Sequence, residues 1–200
     1  LGVVWSRESL AAIWMIMKRG CEADILVPQI DNEQIRGLIP LIKRFSDRWA
    51  YGYEPKLFIV DVGPLASRLS NMDSGVASIL LRKFMLRIAQ AIAKEVGAEA
   101  IVSDESFCPN SLHILRNLDV VDEGLKLPVL RPLIALDRDR VAEIVNKIGL
   151  GGLSLEEHSL VKSREVLQWV EPKDVNRVGV EVGVSVEEVT SYAKRRSEYS

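Results

Sequence analysis

The sequence predicts an α/β fold: a doubly wound, parallel five-stranded sheet followed by a C-terminal helical appendage. Three observations lead there. Brief apolar runs rich in Val, Ile and Leu alternate with longer runs of helical periodicity, the pattern of strands buried on both faces beneath crossover helices. The chain has 200 residues, 48% hydrophobic and 27% charged, which is enough for one substantial core and too little for two large domains. Beyond residue 149 the pattern shifts to short helical runs, which divides the chain into an expected sheet domain over 1–149 and an appendage over 150–200.

Each element has its own signal. Leu1 to Trp5 reads as the first strand and Glu8 to Arg19 as the first helix, stopped by Gly20. Ala23 to Val27 is the second strand. Asp31 to Trp49 is helical, with Pro40 starting or kinking a segment because it has no amide donor. Leu57 to Val62 is the third strand. From Ser74 to Val96, apolar residues at Val76, Ile79, Leu80, Phe84, Ile88 and Ile92 mark a long helix that Gly97 ends. Ala100 to Ser103 and Val129 to Leu130 supply two more strands, and Asp137 to Ile148 is a helix closed by Gly149. Gly149, Gly151 and Gly152 form a joint to short helices over Ser163 to Val170, Pro172 to Val180 and Val186 to Arg195; Ser185 and Glu188 fit a capping box for the last. In such a sheet ligands lie at the carboxyl ends of the strands near the switch point, so the loops after Trp5, Val62, Ser103 and Leu130 are where chemistry is expected.

Composition excludes several functions. The net charge of -2 provides no overall basic field, so an RNA or DNA partner requires a local basic patch. Cys21 and Cys108 are too few for a disulfide framework, and with His113 and His158 they give no zinc spacing, so no metal ligand set is expected. A reducing cytoplasmic setting follows as the expectation. The apolar runs end in charges too soon to span a bilayer, and no membrane partner is expected.

Four stretches carry candidate chemistry. In Val3 to Ser9, Ser6 and Ser9 stand where a strand meets a helix, a position suited to phosphate; equally, Ser6 caps the helix and Glu8 complements its dipole. Trp5 and Glu8 are poor residues for receiving an anion, because phosphate loops use glycines for close backbone approach. Lys83, Arg87, Gln90 and Lys94 recur at helical spacing, as either a solvated face or a strip for the phosphates of RNA or nucleotide. Asp104 and Glu105 end a strand, as magnesium-binding carboxylates or as turn residues. Cys108 in the same loop is a nucleophile if its thiol is acidified, with His113 as its base, and otherwise structural. Arg131, after the last strand, points to the same rim.

These motifs, in this order, resemble the adenylating pyrophosphatase-loop (adenine nucleotide alpha hydrolase-like) domain of the tRNA 4-thiouridine synthetase, or tRNA sulfurtransferase, family. Lys83, Met85, Arg87 and Ala89 fit the family's basic pair with its Met, Arg and Ala. Leu130 to Ile134 fits its Leu-Arg-Pro-Leu-Ile run, with Asp137 following, and Asn117 and Leu118 fit another shared pair. The helix ending in Met17-Lys18-Arg19-Gly20 is similar to the family's first. The resemblance spans about residues 1 to 150.

The departures fall on the chemistry. The family's S-G-G-x-D-S loop aligns with Val4 to Ser9, where only Ser9 is retained; both glycines are replaced and the aspartate is Glu8. Its T-G-E motif reads Ser103-Asp104-Glu105, and the following Gly-Gln pair reads Cys108-Pro109. The family's later sulfur-handling cysteine aligns with His158. The resemblance implies ATP-dependent tRNA thiolation, by adenylation of a uracil carbonyl followed by attack of a persulfide sulfur with loss of AMP. Ser6, Ser9, Glu8 and Arg131 would then face nucleotide, Glu105 and Cys108 the chemistry, Lys83, Arg87 and Lys94 RNA, and Glu105 or Glu8 a magnesium ion. The degenerate loop implies ATP pyrophosphatase activity that is weakened or lost. The alternative is a noncatalytic module binding nucleotide, RNA or a protein partner. A tRNA, a separate RNA-binding domain and a second copy of the chain are the partners so implied.

Overall fold

The computed structural model describes residues 1–70, 72–106, 114–152 and 197–199. Five parallel strands, β1 (Gly2–Val3), β2 (Ile25–Gln29), β3 (Leu57–Asp61), β4 (Ile101–Val102) and β5 (Val129–Leu130), form the predicted sheet. A sixth strand, β6 (Ser197–Tyr199), joins antiparallel to β3, so the sheet order is β5-β4-β1-β2-β3-β6. Six helices are described: α1 (Arg7–Met17), α2 (Asn32–Trp49), α3 (Gly63–Leu69), α4 (Ser74–Val96), α5 (Ile114–Asp122) and α6 (Arg138–Lys147).

Side chains alternate across the strands, so each strand feeds two cores. Leu26, Phe58 and Val60 point to one face, where Leu65 of α3, Leu80, Ile88 and Ile92 of α4 and Val120 of α5 cover them. Ile25, Val27 and Ile59 point to the other, beneath Leu10 and Ile13 of α1, Leu38 and Phe45 of α2 and Val141 and Val145 of α6. Burial of both faces explains why the strands read as unbroken apolar runs.

Several details depart from the sequence expectation. α2 continues through Pro40 as one helix. α3 and α5 lack a readable signal: α3 is seven residues long and begins Gly63-Pro64, and α5 emerges from a turn-rich stretch. The C-terminal helices expected between residues 163 and 195 lie outside the described residues, as do His113 and His158. Among the described residues, no helix is long and apolar enough to cross a membrane.

The order of the strands positions the site. After β1 the chain builds outward through β2 and β3, then returns to place β4 on the other side of β1. The switch point therefore lies between β1 and β4. Their carboxyl ends lead into Val4 to Ser6 and Ser103 to Glu105, which meet across it.

Candidate functional site at the switch point

The amino end of α1 is closed by its own side chains. Ser6 is the N-cap, with extended backbone (φ -152°, ψ -179°), and its Oγ accepts from the Ser9 amide at 3.4 Å. Ser9 Oγ accepts in turn from the amides of Trp5 at 3.0 Å and Ser6 at 3.2 Å. This reciprocal arrangement pairs amide donors that a helix start would otherwise leave open. Glu8 sits in the first turn, where the helix dipole favours a negative charge. The capping reading of Ser6 and Glu8 thus describes the local structure.

From β4, Asp104 reaches this helix start. Its Oδ2 accepts a short hydrogen bond from Ser9 Oγ and lies 3.4 Å from Ser6 Oγ. Arg82 of α4 stands on its other side, with Nη1 3.1 Å from Glu105 Oε1 and 3.7 Å from Asp104 Oδ1. Glu105 is held a second time by Arg131, whose Nε donates to Oε2 at 3.0 Å. Both Nη atoms of Arg131 donate to Asp122 at the end of α5, at 2.8 and 2.5 Å. A continuous polar chain therefore runs Ser6/Ser9, Asp104, Arg82, Glu105, Arg131, Asp122, through the crevice where the sheet changes direction. A narrow gap beside it is lined by Val3, Trp5, Arg82, Met85, Ser103 and Glu105.

The two adjacent carboxylates titrate in opposite directions. Burial raises Asp104, and the nearby charges of Glu105 and Glu8 add to it, against the opposing pull of Arg82 and Ser9. Burial acts on Glu105 in the same sense, but Arg82 and Arg131 together overcome it and hold Glu105 below its ordinary value.

Three of the four residues of the polar strip are tied into the fold. Lys83 is buried and bonds Glu123 at 2.6 Å, Arg87 donates to the Glu123 carbonyl at 3.0 Å, and Gln90 accepts from the amides of Lys126 and Leu127. The end of α5 and the turn after it lie over these residues, so only Lys94 of the strip is fully exposed. At Lys83, Arg87 and Gln90 the polar spacing ties α4 to the α5 turn. Cys108 lies outside the described residues.

Of the candidate residues, the fold brings Ser6, Ser9, Glu105 and Arg131 into one network, leaves Glu8 at its edge and separates Lys94 from it. Arg82, Asp122 and Glu123 were not singled out from sequence. Arg82 adjoins Lys83 in a basic pair and was legible only as a second cation. Asp122 ends, and Glu123 follows, a helix that sequence did not reveal. Among the described residues no group of three His, Cys, Asp or Glu side chains can hold a metal ion.

The model of the family described as "Thiamine biosynthesis protein (ThiI)" matches residues 7–167. The chain belongs to the ThiI family. ThiI-family relatives include a tRNA sulfurtransferase of Pyrobaculum aerophilum, 32% identical over 191 residues, covering 94% of this chain and 39% of that protein. A tRNA sulfurtransferase of Thermoplasma acidophilum is 31% identical over 173 residues, covering 84% of this chain and 36% of its own length. The chain thus spans under two fifths of these curated relatives. A solved 4-thiouridine synthetase, described as an RNA complex with bound ATP, superimposes with a TM-score of 0.81 at 20% identity, over 99% of this chain and 55% of its own. The ThiI-family fold expected from the motifs is therefore the fold observed.

Proposed function

We propose that this chain is the adenylating-type domain of a ThiI-family tRNA-thiolation protein in which ATP cleavage is weakened or lost, so that it contributes binding rather than phosphoryl chemistry. The tRNA sulfurtransferase relatives support the setting in tRNA thiolation, and the neighbour bound to ATP and RNA identifies the ligands to test. The observation that carries the loss of activity is that the cations of the crevice already face the protein's own carboxylates.

A triphosphate needs donors and positive charge that remain available at the moment of reaction, because displacement at phosphorus is helped mainly by positioning and charge stabilisation. Arg131 donates through Nε and both Nη atoms to Glu105 and Asp122. Arg82 stands between Glu105 and Asp104, and Lys83 is bonded to Glu123. The amides of Trp5, Ser6 and Ser9 are taken by the capping box. Trp5 and Ser6 add side chains where a glycine cradle would admit an anion. These residues do not fit a triphosphate as they stand, and no step through ATP is derived from them.

The test is pyrophosphate release by the full-length protein supplied with ATP, magnesium and a tRNA transcript. Release at the background rate, with tRNA bound in a parallel gel-shift assay, is the expected result. Stoichiometric formation of AMP and pyrophosphate would overturn the proposal.

A further inference from the structure

The amino end of a helix gathers unpaired N–H groups and the positive end of the helix dipole. In a doubly wound sheet the helix start at the switch point is the place where a phosphate is received. Here that start belongs to α1, and the carboxylate of Asp104, arriving from β4, stands against it.

We propose that Asp104 is an internal anion that occupies the space a phosphate oxygen would take beside the capped start of α1, against the Ser6 and Ser9 hydroxyls and Arg82, making the crevice a filled site in place of a nucleotide site. The inference rests on the reading of the domain as one without efficient ATP cleavage, and it names the group responsible.

Local structure does not require this carboxylate. The capping box of α1 is complete between Ser6 and Ser9. The ion pair of Arg82 is complete with Glu105, at 3.1 Å against 3.7 Å to Asp104. In the capping box the two hydroxyl oxygens accept from amides, and Asp104 receives the proton that Ser9 Oγ has left to donate; its side chain is only 10% exposed. Burying a carboxylate is unfavourable unless charge and hydrogen bonds offset it. The groups offsetting it are the set that would otherwise meet a phosphate oxygen: two hydroxyls at a helix start and a guanidinium opposite them. Burial raises its pKa for the same reason. Glu8, in the first turn of α1, adds further negative charge on this side.

Two positions make this contact, and both are side chains on backbone that turns at the end of a strand. Ser6 follows β1 and Asp104 follows β4, 98 residues apart in sequence, and their side chains meet at 3.4 Å. Removing the Asp104 side chain would leave the Ser6 and Ser9 hydroxyls and Arg82 facing the same space.

The test is binding of inorganic pyrophosphate to the full-length protein, followed by calorimetry and by thermal shift against sodium chloride of equal ionic strength. Wild type is expected to show no saturable binding. Asp104→Gly is expected to gain saturable binding, and Asp104→Asn, which keeps the shape and removes the charge, a smaller gain. The affinity of Asp104→Gly should exceed that of wild type by at least about tenfold, the value of one charge-assisted hydrogen bond. Wild type binding as tightly as either variant would overturn the inference, and so would a folded Asn variant with no gain. If the Gly variant does not fold, the Asn variant decides. Pyrophosphate release by wild type would instead sink the reading of lost ATP cleavage, so the two failures are separable.

Discussion

Asp104 and Glu105 are consecutive residues at the end of β4, similarly buried, and the protein treats them in opposite ways. Glu105 points toward α4 and β5, where Arg82 and Arg131 hold it from both sides at 3.1 and 3.0 Å. Asp104 points toward α1, where hydroxyls receive it and Arg82 approaches only to 3.7 Å. Burial acts on both in the same direction, so the number and distance of the cations decides which stays readily ionised. The difference separates a carboxylate that holds elements together from one that fills a crevice.

The largest effect is expected from Glu105→Gln. It takes the shared charge from Arg82, which is partly exposed, and from Arg131, which keeps Asp122, and loss of such charge-assisted hydrogen bonds costs about 2 kcal/mol. Chemical denaturation should show that loss at neutral pH; a change within experimental error would mean that Glu105 is not the junction of the network. A smaller effect is expected from Ser6→Ala. It removes the cap of α1, costing about 1 kcal/mol by the same measurement, while leaving the Glu105 side intact.

The smallest effect is expected from Asp104→Asn, and its sign depends on pH. Asp104 has a raised pKa in the fold, so its deprotonation costs stability as pH rises through that value. The Asn variant therefore gains on wild type at neutral pH, and that advantage shrinks as the solution is acidified. Glu105 has a lowered pKa, so its contribution is present above its ordinary value and is lost as pH falls through the lowered one. Denaturation curves of wild type and Asp104→Asn from neutral pH downward should show the gap between them narrowing. A gap between them that widens on acidification would reverse the assignment.

Much of the scaffold was legible. The strand runs at Ala23 to Val27 and Leu57 to Val62 lie within a residue or two of β2 and β3, and Ser74 to Val96 coincides with α4, because periodicity and the Gly97 stop act locally. α3 and α5 were missed because a seven-residue helix and one opening in a turn-rich stretch carry little periodic signal. β6 was missed because an edge strand of three residues is defined by its partner β3 more than by its own sequence.

The site divides the same way. The Ser6 cap was readable, since Ser6 stands immediately before the helical run, whereas the reciprocal contact from Ser9 emerged from the fold. The polar spacing of Lys83, Arg87 and Gln90 was readable too, but not what it faces, because α5 was unseen and its turn covers them. The pairing of Arg131 with Asp122 and Glu105 joins three elements and left no trace in any local pattern.

The sheet class, most helix boundaries and the family resemblance were therefore set by residues close in the chain or by ordered motifs. Only the tertiary structure decided that Asp104 meets Ser6 and Ser9 and that Arg82 and Arg131 are already paired. Whether a charge is available depends on what the fold brings within a few ångströms of it, and those partners lie on different strands and helices.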